Sequence, residues 1–152
     1  MNVLIDTNIL TRAAQPGHPM HNDALDAVDV LTGRGEDLCV VPQNLIEFWA
    51  VATRPLSANG LEMTIAEAQA ELARIKSLFR LLPETPGLFS EWERVVVQHG
   101  VSGKNTHDAR LVAAMNIHGL TQLLTFNVGD SKRYSPRITS VSPGDVNGNT
   151  PP

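Results

Sequence analysis

The sequence predicts a three-layer α/β/α sandwich, in which helices cover both faces of a parallel sheet of four to five strands. Short apolar runs alternate along the chain with longer segments of helical periodicity, a pattern typical of right-handed βαβ crossovers. Gly and Pro residues separate several of these segments where the chain must turn. The length of 152 residues fits one domain with a core of ordinary size.

The expected strands are short runs without polar alternation, as is typical of strands buried on both faces. Val3-Leu4-Ile5 is the first of them and ends directly at Asp6. The expected strands are residues 3–5, 38–41, 80–82 and 122–125, with a further candidate at 138–141.

The expected helices are bounded by recognisable start and stop signals. Pro42 favours the first turn of a helix, and Thr64 with Glu67 forms a capping-box signature. Gly33 ends one helical segment and Gly119 follows another, as expected of a residue that favours helix ends. The predicted helices cover residues 7–14, 21–33, 42–54, the segment from 64 through 79, 86–99 and 106–118.

The chain shows no internal repeat and no linker that would divide it. We therefore expect one domain over residues 1–142. Residues 143–152 contain Gly, Asn, Thr and Pro and are expected to form a flexible tail.

Composition excludes several classes of protein. A hydrophobic content of 42% is too high for a disordered chain, and the single cysteine, Cys39, excludes a disulfide framework. No apolar run approaches the roughly 20 residues of a membrane helix, and the first ten residues lack the pattern of a secretion signal. We therefore expect a cytoplasmic protein that has no membrane partner.

The charge distribution limits how the chain could bind nucleic acid. The formal net charge of −4 argues against a broad electrostatic coat on DNA or RNA. Residues 100–137, however, carry more bases than acids. Chance explains this asymmetry as well as a functional surface does.

Four acidic residues occupy related positions in the predicted topology. Asp6 follows the first strand, Glu47 lies one turn into the helix after the second strand, and Asp108 lies in the first turn of its helix. Asp130 follows the fourth strand, as does Asn127. Since ligands bind beyond the carboxyl ends of parallel strands, these side chains could converge there. Converging carboxylates repel one another unless a cation such as Mg²⁺ or Mn²⁺ compensates them.

Each acid also has an ordinary structural interpretation. Asp6 could cap a helix, and Asp108 could be a favourable first-turn charge. Glu47 could be solvated or pair with Arg54, and Asp130 could be a loop acid. Their shared position at the strand ends is what favours a functional site.

Four segments together resemble the PIN-domain ribonucleases, most closely the VapC toxins of bacterial toxin–antitoxin pairs. The resemblance covers about residues 2–141 and rests on motifs in a fixed order. These are Leu4-Ile5-Asp6-Thr7-Asn8-Ile9-Leu10, Glu47 within a helix, Thr106-His107-Asp108-Ala109 and Leu124-Thr125-Phe126-Asn127-Val128-Gly129-Asp130. The family implies a parallel α/β/α sandwich and Mg²⁺- or Mn²⁺-dependent cleavage of RNA. It also implies a homodimer and a cognate antitoxin whose tail occupies the active-site groove.

The resemblance also implies roles for individual residues. Asp6 and Asp108 would be the principal metal ligands, and Glu47 would bind the metal or position its water. Asp130 would be the fourth acid, in a pattern where some relatives carry Asp at the position of Asn127. Whether Asn127 or Asp130 completes the site, and whether a second metal binds, stays open because Asn127 offers only a neutral oxygen.

Further polar residues surround these acids in the sequence. Thr7, Asn8 and Thr125 are expected to hydrogen-bond and orient the carboxylates, although helix capping and turn chemistry would also account for them. Basic residues flank the acids and could hold phosphates or simply be solvated, namely Lys104, Arg110, Lys132 and Arg133.

Two other functions remain open at this point. A phosphatase of the haloacid dehalogenase type needs Asp-x-Asp after its first strand, and this chain has Asp6 and Asn8 there. A non-catalytic module that binds RNA or protein could use the same fold, although the intact acid set argues against it.

Overall fold

A five-stranded parallel sheet forms the centre of the protein. The computed structural model describes residues 1–148. The sheet order is β3-β2-β1-β4-β5, so the first strand of the chain lies in the middle. Leu4 pairs with Cys39 on one side and with Leu123 on the other. The strands are β1 (Asn2–Ile5), β2 (Asp37–Val40), β3 (Arg80–Leu81), β4 (Gln122–Leu124) and β5 (Thr139–Val141).

Helices cover both faces of the sheet, as predicted. One face packs on α1 (Thr7–Ala13), α2 (His21–Gly33), α3 (Pro42–Thr53), α4 (Ile65–Leu78) and α7 (Pro143–Gly148). The other packs on α5 (Leu88–His99) and α6 (Thr106–His118). Successive side chains of β1 point to opposite faces of the sheet, so Val3 and Ile5 enter one core and Leu4 enters the other.

The local signals in the sequence act as expected at the helix ends. Thr64 and Glu67 form both hydrogen bonds of the capping box that starts α4, and Pro42 opens α3. Gly119 has a positive φ of 69° and ends α6, a conformation that a residue with a Cβ adopts only under strain. The predicted strands and the first six helices are therefore confirmed, with small shifts at their ends.

The predicted tail is partly wrong. Residues 143–148 form α7, and Val146 is buried in the core that contains α2. Ser142 and Asp145 hydrogen-bond reciprocally, each backbone N–H donating to the other side chain, in the manner of a capping box. This Ser-x-x-Asp signal precedes a helix too short to stand alone, so packing is needed to stabilise it. The rest of the predicted tail, residues 149–152, lies outside the described part of the chain.

None of the helices within residues 1–148 combines the length and apolar character that crossing a bilayer requires.

Candidate functional site

A cleft of about 530 Å³ lies at the carboxyl ends of the central strands. Asp6, Glu47, Asp108 and Asp130 all line it. Parallel strands end at the same edge of a sheet, which is why acids far apart in sequence come together here. Thr7, Asn8 and Asn127 also line this cleft.

Asp6 is held by both of its carboxylate oxygens. It is the N-cap of α1, and Oδ1 accepts from the backbone N–H of Thr7 at 2.7 Å. Oδ2 accepts from the Thr125 hydroxyl at 2.8 Å. Burial is the main cause that raises the pKa of Asp6, and Glu47 and Asp108 raise it further, whereas these two hydrogen bonds lower it. Asp6 thus caps a helix and also presents a desolvated carboxylate to the cleft.

Thr125 connects the end of β4 to the start of α1. Its side chain is only 1% exposed, and its hydroxyl takes part in three hydrogen bonds. It donates to Asp6 and accepts from Asn8 Nδ2 and from the backbone N–H of Asn127, both at 3.0 Å. Asn8 Oδ1 in turn accepts from the backbone N–H of Phe126 at 3.2 Å. This network fixes the Asp6 carboxylate relative to two strands.

Glu47 is held from α1 as well, although it belongs to α3. The Thr7 hydroxyl donates to Glu47 Oε1 at 2.8 Å. Asn44 Nδ2 donates to the same hydroxyl at 3.3 Å. Within residues 1–148 Glu47 forms no ion pair, so the alternative pairing with Arg54 is wrong.

Asp108 and Asp130 form the more open side of the cleft, and both are exposed. Desolvation is the larger cause that raises the pKa of Asp108, and the charge of Asp130 is the next. His107, Arg133 and Lys104 lower it, which places basic side chains beside this pair. Asp130 lies in a 3₁₀ segment, Val128–Tyr134, that the sequence did not predict.

Arg110 does not line the cleft with the acids, contrary to the expectation that it could hold phosphates there. It forms an ion pair with Glu84, and its Nη1 donates to Gln43 Oε1 at 3.1 Å. Two residues along a helix correspond to a rotation of about 200°, so Arg110 and Asp108 necessarily face different directions.

Some residues of the cleft were not found from the sequence. Arg12 and Arg54 line it, although both lie far from the basic stretch at residues 100–137. Asn44 does not line the cleft but is fully buried behind Thr7, which does. Its spacing of three residues from Glu47 was the available signal, since such pairs share one helix face.

The donors in the cleft suit a hard divalent cation. The acids at positions 6, 47, 108 and 130 form no ion pair with any base in residues 1–148, although His107, Arg133 and Lys104 act on Asp108 from a longer distance. No three Asp, Glu, His or Cys side chains in that range are grouped closely enough to enclose one ion. Mg²⁺ fits such an open arrangement, because it commonly takes one or two carboxylates and keeps several waters.

Solved structures of similar fold include toxin–antitoxin complexes and a toxin. VapBC2 from Rickettsia felis, bound to a DNA fragment from its promoter, has a TM-score of 0.70 and 14% identity, covering 93% of this chain and 98% of that chain. VapBC-1 from nontypeable Haemophilus influenzae has a TM-score of 0.67 and 12% identity, covering 94% and 98%. VapC20 from Mycobacterium tuberculosis, a Sarcin-Ricin loop cleaving toxin, has a TM-score of 0.60 and 19% identity, covering 80% and 86%.

These TM-scores show a shared fold. No match to the chain was found among curated protein sequences. The family model of the PIN domain matches residues 3–132, which is most of the chain. The chain therefore belongs to the PIN-domain family.

Proposed function

We propose that the protein is a Mg²⁺- or Mn²⁺-dependent endoribonuclease and the toxin of a VapBC-type toxin–antitoxin pair. The observation that carries this proposal is the grouping of four acids without ion pairs in one cleft of a PIN-domain fold. Asp6 also caps a helix, but capping does not account for four carboxylates that lack ion pairs in one cleft. Such a group is typical of a site that binds cations.

Asp6 and Asp108 would be the principal metal ligands, and Glu47 and Asp130 would complete the acidic site. Asp130 is favoured over Asn127 as the fourth member because its charge acts directly on Asp108. Asn127, by contrast, uses its backbone N–H to bond Thr125 and has only a neutral side-chain oxygen. Thr7, Asn8 and Thr125 would orient the carboxylates through the hydrogen bonds described above.

The reaction would be hydrolysis of an RNA phosphodiester by water. A bound divalent ion would activate the water and stabilise charge on the phosphoryl group. Glu47, held by the Thr7 hydroxyl, would position the attacking water. The leaving 3′-oxygen would take its proton from solvent, to which the side of the cleft formed by Asp108 and Asp130 is open.

Basic residues beside the acids would hold the RNA backbone. Lys104 and Arg133 lie close enough to lower the pKa of Asp108, and Arg12 and Arg54 line the cleft itself. These side chains could neutralise phosphates locally although the whole chain is acidic.

The proposed protein partners are a cognate antitoxin and a second copy of the chain. Structures of similar fold include toxin–antitoxin complexes from Rickettsia felis and Haemophilus influenzae, which supports an antitoxin partner. The homodimer rests on the family resemblance alone, whereas a cytoplasmic location is favoured by the single cysteine.

The phosphatase alternative is not supported by the geometry of Asn8. Its amide oxygen accepts from Phe126 N–H and its amide nitrogen donates to Thr125, so position 8 serves the scaffold. A haloacid dehalogenase would need a carboxylate there.

Purified protein incubated with single-stranded and structured RNAs tests the proposal. We expect cleavage with Mn²⁺ or Mg²⁺, none with EDTA, and none for Asp6→Ala or Asp108→Ala. Asp29→Ala, which removes an exposed acid on α2 outside the cleft, is the matched control and should cleave normally. Cleavage that survives both cleft substitutions would refute the proposed site. Hydrolysis of a small phosphoester without RNA cleavage would favour a phosphatase, and RNA binding without cleavage a non-catalytic module.

A further inference from the structure

Asn44 is a polar side chain in a completely buried position, with 0% exposure. It is the third residue of α3, and its two polar atoms have different partners. Oδ1 accepts from the backbone N–H of Val41 at 2.9 Å, which caps the helix. Nδ2 donates to the hydroxyl of Thr7 at 3.3 Å, across to α1. Helix capping accounts for the oxygen but not for the nitrogen.

The orientation of the Asn44 amide decides where the Thr7 proton can go. Because the backbone N–H of Val41 needs an acceptor, the amide oxygen faces Val41 and the amide nitrogen faces Thr7. A hydroxyl group has one proton, and a neighbouring N–H donor cannot accept it. The Thr7 hydroxyl therefore donates to Glu47 Oε1, at 2.8 Å.

We propose that Asn44 is a positioning residue that fixes the Glu47 carboxylate through the hydroxyl of Thr7. Without the amide donor, the hydroxyl can rotate to other acceptors and Glu47 loses its fixed hydrogen bond. The inference deepens the proposed function, on which it rests, because it assigns a role toward the metal-binding cleft to a residue that never enters it.

A purely structural role for Asn44 makes a different prediction. If the side chain only caps α3, its loss lowers stability as the loss of any cap does. Thr64 provides the comparison, because its hydroxyl accepts from Glu67 N–H to cap α4, and it does not line the acidic cleft. Thr64→Ala should therefore reduce stability without changing the affinity for a metal ion.

A double-mutant cycle with the full chain separates the two roles. Mn²⁺ affinity is measured by isothermal titration calorimetry, and RNA cleavage gives kcat and KM separately. We expect Thr7→Val and Asn44→Ala each to weaken Mn²⁺ binding or lower kcat by about 10-fold, with little change in KM. Because Asn44 acts through Thr7, the double variant should be no worse than Thr7→Val alone. Thr7→Ser keeps the hydroxyl and should restore both quantities.

Asn44→Asp provides a second variant if Asn44→Ala fails to fold. It keeps the oxygen that accepts from Val41 N–H and replaces the amide nitrogen with an oxygen that accepts, so it would draw the Thr7 proton away from Glu47, and its unfolding midpoint is measured beside that of Thr64→Ala. Wild-type Mn²⁺ affinity and kcat in a folded Asn44→Asp, or additive losses in the cycle, would overturn the inference alone. A wild-type protein that neither binds Mn²⁺ nor cleaves RNA would instead refute the proposed function.

Discussion

Thr125→Val removes one hydroxyl and leaves the shape of a buried side chain almost unchanged. The hydroxyl donates to Asp6 and accepts from Asn8 and from the backbone of Asn127. Valine can replace none of these hydrogen bonds, so the substitution leaves one carboxylate oxygen and two N–H groups without their partner. No cavity is created, which isolates the effect of the network.

The expected loss of stability follows from the partners involved. The hydrogen bond to the Asp6 carboxylate should contribute about 1.5–3 kcal/mol, and each neutral one about 1 kcal/mol. Water from the cleft can form replacement hydrogen bonds at Asp6 and Asn8, which are only half-buried, and so reduce the loss of stability. We therefore expect a loss of about 3 kcal/mol, equivalent to about 6–12 °C in Tm for a domain of this size. Mn²⁺ affinity should fall by about 10- to 100-fold.

Urea unfolding at neutral pH in EDTA measures the stability term, and calorimetric titration measures the affinity. Thr125→Ser is the matched control, because it keeps the hydroxyl and loses one methyl group, worth about 0.8 kcal/mol. If Thr125→Val were as stable as Thr125→Ser and bound Mn²⁺ equally well, the hydroxyl network could not be what anchors Asp6.

Three further predictions concern the acid site, the surface and the core. Burial raises the pKa of Asp6 above its ordinary 3.8, so the metal-free fold should lose stability as the pH rises through the raised pKa. Asp6→Asn should abolish cleavage. It should also remove this fall in the free energy of unfolding, measured in urea from about pH 4 to about pH 8, and an unchanged slope would contradict the assignment. Arg110→Ala breaks a partly exposed ion pair with Glu84 and should change stability by less than about 1 kcal/mol, with normal RNA cleavage. Phe48→Ala empties a fully buried site and should cost about 3–5 kcal/mol in urea unfolding, and a loss below 1 kcal/mol would be inconsistent with its burial.

Local patterns in the sequence were sufficient for most of the architecture. Apolar runs marked the strands, and signals such as Pro42 and the pair Thr64 and Glu67 marked helix starts. The strand–helix alternation then implied a parallel sheet, and its shared carboxyl edge brought Asp6 and Asp108 to one cleft. Such inferences succeed when a residue's position along its own element decides where it lies.

Features that depend on packing between distant elements were missed. Val146 makes α7 stable by burial in a core shared with α2, which overrides the poor helix propensity of its Gly and Pro residues. The role of Asn44 depends on α1, because its amide nitrogen bonds the Thr7 hydroxyl across the two helices. Arg110 was judged by its distance from Asp108 in sequence, although the turn of the helix carries it to another face.

The central position of β1 determines when the acidic centre can assemble during synthesis. Asp6 is made among the first residues, but its backbone N–H bonds to Leu124 and its carboxylate to Thr125. The growing chain must therefore include β4 and the residue that follows it before Asp6 acquires these partners. Prematurely terminated chains that end before β4 would carry Asp6, Glu47 and Asp108 but no fixed arrangement of them. For the proposed nuclease, this order of assembly would make cleavage a property of chains that already include β4.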